Sequence, residues 1–191
     1  MNVLIIDNND SFSYNLLELI RKIIKKRPDI ISINELNIGD VQLYDKIILS
    51  PGPDIPKPND NMAKVLEMYK GNKSILGVCL GCQAIAQFFG ASLYNMPDIV
   101  HGMKRKTNII DTKDYLYAGL GDEIDVGLYH SWTISKYSMP KELQITSISE
   151  EGIIMSISHT DYDIKGIQYH PESYMTKSGY QIMKNYLLNN S

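Results

Sequence analysis

Cys79 stands in the run Gly77-Val78-Cys79-Leu80-Gly81, a G-x-C-x-G pattern between an apolar stretch and an amphipathic one. That pattern suits a nucleophile elbow, in which a sharp strand-to-helix turn flanked by small residues lifts the central side chain out at the carboxyl end of a sheet. A cysteine there sits at a helix N-terminus, where partial positive charge favours the thiolate. The N–H of Leu80 points toward the same space and is a candidate arm of an oxyanion hole. The competing reading of Cys79 alone is a core cysteine, because free cysteines are among the most buried residues.

Two further segments supply complementary chemistry. His170-Pro171-Glu172 follows the last strand-like run, Gly166-Ile167-Gln168-Tyr169. A neutral imidazole with a pKa near ~6.5 suits the removal of a thiol proton. Pro171 limits the backbone, so Glu172 can be held against the far ring nitrogen of His170, as in a Cys-His-acid triad. In Ser50-Pro51-Gly52-Pro53 the prolines have no N–H, which leaves Gly52 as the free donor of that triplet. If the strands before Gly52 and Cys79 are neighbours, both residues lie at one sheet edge.

Cys79-Leu80-Gly81-Cys82 also reads as a C-x-x-C redox pair at a helix start. The chain is almost twice the length of a thioredoxin-like domain, and a redox reading leaves the His170–Glu172 motif unexplained. No second clustered pair of ligands accompanies the two cysteines, so no metal site is expected. Nor is a cofactor.

The elements that must position these residues alternate in the first half. Strands are expected at residues 3–6, 30–33, 46–50 and 74–78, with helices over residues 16–24, 59–69 and 83–89. Short, continuously apolar strands suit a parallel sheet buried on both faces. The second half is strand-rich, at residues 106–110, 124–129, 144–149, 153–158 and 164–169, before a closing helix over 178–188. The fold class expected is α/β: a mostly parallel, doubly wound central sheet flanked by helices, with an additional strand-rich second half. Residues 1–191 read as one domain. The basic cluster Arg21, Lys22, Lys25, Lys26 and Arg27 complements a helix C-terminus before Pro28.

Composition narrows the function classes. The 191 residues carry 19 basic and 22 acidic side chains, a net charge of −3, which disfavours a nucleic-acid or anionic-membrane role. Two cysteines fit a reducing compartment. The uncharged stretch over residues 74–97 holds three glycines, two glutamines and an asparagine, and reads as a buried strand–helix pair rather than a membrane span. The first ten residues are too short in apolar run and too acidic for a signal peptide. A cytoplasmic location is expected, with no membrane or nucleic-acid partner.

In order along the chain, Asp7-Asn8-Asn9-Asp10-Ser11-Phe12-Ser13-Tyr14-Asn15-Leu16, Ser50-Pro51-Gly52-Pro53, Gly77-Val78-Cys79-Leu80-Gly81-Cys82-Gln83, Tyr129-His130-Ser131 and His170-Pro171-Glu172-Ser173 resemble the class I (triad) glutamine amidotransferases. More narrowly, the chain resembles the glutaminase subunits of anthranilate synthase and aminodeoxychorismate synthase. The resemblance implies Cys79 as nucleophile, His170 as base and Glu172 as its orienter. It implies an oxyanion hole from the N–H groups of Gly52 and Leu80, and glutamine held by Gln83 and the Ser131–Trp132 backbone. It also implies two partners: L-glutamine, and a chorismate-binding synthase subunit that receives the ammonia.

Three residues depart from the family pattern. Cys82 stands where histidine is usual, Asp54 where a second glycine is usual, and Met103 where lysine is usual. Lys104, Arg105 and Lys106 follow Met103 as a basic loop that either faces the partner or is a solvated turn. The alternatives are a C-x-x-C redox protein, a glutaminase subunit of another amidotransferase such as GMP synthetase, and a non-catalytic subunit of the same fold.

Overall fold

The computed structural model describes residues 1–189, apart from the side chains of residues 98–100. The first half is β1 (Val3–Asp7), α1 (Ser13–Ile24), β2 (Asp29–Ser32), β3 (Lys46–Leu49), α2 (Asn61–Tyr69), β4 (Ser74–Val78) and α3 (Leu80–Phe88). The second half is β5 (Leu93–Ile109), β6 (Glu123–Ile134), β7 (Leu143–Ser149), β8 (Ile154–His159), β9 (Ile164–Ile167) and α4 (Gly179–Leu188). The strands form one sheet in the order β2-β1-β3-β4-β9-β8-β7-β5-β6.

Strands β2, β1, β3, β4 and β9 pair in parallel. Their apolar residues alternate between two cores, as the two-residue period of a strand requires. Ile5, Ile48 and Leu76 pack with Leu16 and Ile20 of α1 and Ile182 and Tyr186 of α4. Leu4, Ile6, Ile47, Leu49 and Ile75 pack on the other face with Val65 and Leu66 of α2 and Ile85 of α3. Helices therefore cover both faces, which is why these strands read as unbroken apolar runs.

After α3 the chain leaves the parallel region, builds the antiparallel strands β5 to β8, and returns as β9 alongside β4. This return brings the residues after β9 next to the residue after β4. The conditional expectation for β3 and β4 also holds, since Leu49 lies opposite Gly77 in a parallel pair.

Two expectations are corrected in the antiparallel half. β5 begins at Leu93, so residues 104–106 lie in a strand and not in a loop or turn. β6 runs on to Ile134, which puts His130, Ser131 and Trp132 in the strand. The β5–β6 pairing shifts register between His101 and Met103, around Gly102 at φ +67°, and such a bulge breaks the alternation that marks a strand in sequence. Charges that suggested a solvated loop are cross-strand pairs: Lys104–Asp125 at 3.0 Å and Lys106–Glu123 at 2.7 Å. Among the described residues, no helix is long and apolar enough to cross a membrane.

Candidate active site

β4 passes into α3 through Cys79 alone, whose backbone has φ 52° and ψ −103°. A side chain rarely occupies that region, and such strain persists only where surrounding contacts enforce it. The Cys79 N–H donates to the Ile167 carbonyl at 2.8 Å, and the Gln83 N–H donates to the Cys79 carbonyl at 3.0 Å. Neighbouring glycines allow the turn to close. A Cβ at Gly77 would fall within 3.0 Å of the Gly81 and Cys82 backbones, and one at Gly81 would meet the Leu49 backbone equally closely. Helix α3 starts at Leu80, three residues earlier than its apolar pattern suggests, so the Leu80 N–H is one of the helix donors with no intrahelical acceptor.

His170 follows β9 and is buried, and the Glu172 side chain beside it is enclosed. His170 Nδ1 lies 2.7 Å from Glu172 Oε1, the contact that the rigid Pro171 spacing suggested. The loop carrying them is locked onto β6. The His170 N–H donates to the Gly127 carbonyl at 3.1 Å, and Thr176 Oγ1 donates to the His170 carbonyl at 2.7 Å. Gly179 lets α4 start directly against the Pro171 carbonyl. Burial alone would disfavour the imidazolium, but the Cys79 sulfur and the Glu172 carboxylate beside it win, and His170 is pushed up to about 10.

Gly52 lies between two neighbours, since a Cβ there would fall within 3.0 Å of both Leu80 Cδ2 and Asn8 Cβ. That close approach leaves no room for a Cβ unless the Leu80 side chain turns away. Gly52, Cys79, Leu80, Gln83, Ser131 and Trp132 all line one cavity of about 300 Å³. His170 and Glu172 are not part of that lining. A larger cavity of about 590 Å³ lies among Lys46, Ser74 and Asp163, at the opposite end of the sheet, and contains none of the expected site residues. Chemistry rather than size picks out the site. Among the described residues, no group of three His, Cys, Asp or Glu side chains is placed to hold a metal ion.

The departures from the family pattern fall in distinct places. Cys82 is fully buried, and its sulfur faces β9, where a Cβ at Gly166 would come within 3.0 Å of it. Burial pushes its thiol far up. Asp54 lines the cavity with Ile55. Met103 is partly exposed, beside the Gly102 bulge.

Four residues of the site escaped sequence reasoning. Asn8 Nδ2 donates to the Ser50 carbonyl, holding the Gly52 loop. The Phe12 ring lies 5.4 Å from the His170 ring in an edge contact and 4.9 Å from Tyr129, packing beside the imidazole. His130 Nδ1 lies 2.9 Å from the Trp132 carbonyl; burial pulls His130 down to about 4, so its ring is neutral. Gln168 Nε2 donates to Cys79 Sγ at 3.5 Å. Asn8, Phe12 and His130 lie inside the quoted motifs and Gln168 in the strand-like run just before the last of them, and those positions were the only available signal. Trp132 also departs from expectation in part: its carbonyl already accepts from Gln83 Nε2 and from His130, so that oxygen is not the group open to a ligand.

A strained cysteine elbow, a buried His–Glu pair behind it and a doubly wound sheet define a class. Residues 4–190 match the model of glutamine amidotransferase class-I, and the chain belongs to that family. It is 42% identical over 193 residues to the anthranilate synthase component 2 of Cyanophora paradoxa, covering 97% of each chain. It is 37% identical over 191 residues to the aminodeoxychorismate synthase component 2 of Klebsiella aerogenes, covering 97% of this chain and 98% of that one. The crystal structure of a glutamine amidotransferase from Thermotoga maritima superposes with a TM-score of 0.75 at 17% identity, over 98% of this chain and 80% of that one. The last likeness concerns the fold.

Proposed function

We propose that the chain is the glutaminase subunit of a chorismate-aminating synthase and works through Cys79, His170 and Glu172. The observation that carries this is the 2.7 Å contact of His170 with Glu172 on the loop after β9, which pairs with β4 and so comes beside the strained Cys79. His170 takes the thiol proton and the sulfur attacks the side-chain amide carbon of L-glutamine. The N–H groups of Gly52 and Leu80 receive the oxyanion. The tetrahedral adduct collapses, the C–N bond breaks, and the nitrogen takes the proton from His170 to leave as ammonia. His170 then deprotonates a water, which attacks the thioester; the C–S bond breaks, and glutamate and the free thiol result. Glu172 holds the ring throughout. Gln83 and the Ser131–Trp132 strand segment border the glutamine.

The ammonia passes to a chorismate-binding synthase subunit in the cytoplasm, and residues 1–191 act as one glutaminase domain. The names of the two component 2 relatives support this partner. The test has two parts. Glutamate release from L-glutamine should vanish in Cys79→Ser while the fold persists, and a glutamine-like electrophile should label Cys79. Tagged protein should retain a chorismate-aminating synthase from extract in the presence of glutamine. Undiminished hydrolysis by Cys79→Ser overturns the catalytic assignment; recovery of a different amidotransferase synthase overturns the partner.

A further inference from the structure

The reaction above leaves Gln168 without a role, although its carboxamide touches the nucleophile. Gln168 is fully buried just beyond β9, with its backbone N–H on the Met155 carbonyl at 2.8 Å. Its Nε2 donates to Cys79 Sγ at 3.5 Å, and its Oε1 accepts from Gln83 Nε2 at 3.1 Å. Gln83 Nε2 also donates to the Trp132 carbonyl at 2.8 Å. An amide nitrogen can only donate, so Gln83 obliges Gln168 to turn its oxygen toward it and its NH₂ toward the sulfur. Three hydrogen bonds thus run from the nucleophile to the strand segment that borders the cavity.

We propose that Gln168 is a positioning residue for the nucleophile: it donates to the Cys79 sulfur and, through Gln83, couples the sulfur's orientation to the Trp132 segment. The inference rests on Cys79 being the nucleophile of the proposed glutaminase. A neutral donor on sulfur favours the charged thiolate over the thiol. With His170 it restricts the direction in which the sulfur lone pair is presented. A shift of Trp132 on glutamine binding reaches the sulfur along this chain.

The test uses the full chain and compares Gln168→Met with Gln168→Glu. The primary readout is alkylation of Cys79 by iodoacetamide across pH, located by mass spectrometry; the second is the split between kcat and KM for glutamine. Methionine fills similar space without a donor. Its alkylation profile should move to higher pH by about one unit, the tenfold effect of one hydrogen bond to a charged group. Its kcat should fall about tenfold with KM within about threefold, the pattern of a contact made to the reacting group. Glutamate keeps an acceptor for Gln83 but turns a carboxylate toward the sulfur, and should react more slowly than methionine.

A folded Gln168→Met with the wild-type profile and kcat overturns the proposal, as does Gln168→Glu reacting at least as fast as Gln168→Met. If Gln168→Met does not fold, Gln168→Asn replaces it; one methylene shorter, it cannot span both partners, and a wild-type profile there also overturns the proposal. Should the glutaminase reading itself fail, wild-type protein releases no glutamate, yet the alkylation profiles still report on the Gln168–Cys79 contact.

Discussion

The Asn8 carboxamide donates to the Ser50 carbonyl at 2.9 Å, and the Asn8 N–H donates to Ser50 Oγ at the same distance. These bonds join the loop after β1 to the loop after β3 at the carboxyl edge of the sheet. Asp7 shapes the first loop by accepting from the N–H groups of Asn9 and Asp10 and from Ser13 Oγ. The opening acidic motif is therefore a brace for the Gly52 loop and for Phe12, which packs beside His170.

Asn8→Ala releases that brace without touching substrate. Loss of one oxyanion donor's position predicts a fall in kcat of about tenfold or more, with a smaller change in KM. The one lost bond, to the buried Ser50 carbonyl, should cost about 1–3 kcal/mol of stability, since the Asn8 N–H keeps its bond to Ser50 Oγ. Steady-state kinetics and denaturant unfolding of the same preparation check both.

Gly52→Ala places a methyl against Leu80 Cδ2 and Asn8 Cβ. Leu80 can rotate, so the fold should survive at a cost of about 1–3 kcal/mol, while the displaced donor lowers kcat far more than stability suggests. Gly77→Ala meets helix backbone instead and should not fold. Soluble yield and circular dichroism separate the two.

Glu172→Gln removes the carboxylate that helps hold His170 up to about 10. The ring should then lose its proton at lower pH, and in the proposed reaction its protonated form is the acid that releases ammonia. We expect kcat to fall about a hundredfold or more, and the alkaline limb of the kcat profile to move to lower pH. An unshifted alkaline limb would assign that limb to another group.

His130 is neutral in the fold and pulled down to about 4 by burial. Below the unfolded value of ~6.5 the unfolded chain binds a proton that the folded chain refuses, so stability is lost as pH falls toward 4. The difference corresponds to about 3 kcal/mol for one buried imidazole. Denaturant unfolding at a series of pH values should show this acid limb, and His130→Gln should flatten it.

Cys82 and Cys79 behave differently despite their spacing. Cys79 faces the cavity, whereas Cys82 is sealed against Gly166 and β8. A disulfide reagent should titrate one thiol in the folded chain and two in denaturant, and mild oxidation should not join the pair. Two-proton loss on oxidation would overturn this arrangement.

What the sequence determined by itself was local. Gly77 and Gly81 are legible because a nucleophile turn needs small residues where helix and strand backbones cross, Gly52 because it is the one N–H donor between two prolines, and Pro171 because it restricts the path from His170 to Glu172. The apolar runs of β1, β3 and β4 declare a parallel sheet because burial on both faces leaves no polar alternation. The tertiary structure decided what depends on distant segments meeting. β9 lies beside β4, and that adjacency alone brings His170 and Gln168 to Cys79, 91 and 89 residues away in the chain. Strands β5 and β6 are joined by an antiparallel ladder that carries exposed cross-strand ion pairs and is interrupted by a bulge, so their charges and broken period resemble a loop until the partner strand is in place. The same holds for Asn8, whose polar side chain has no visible purpose until β1 and β3 set it against Ser50.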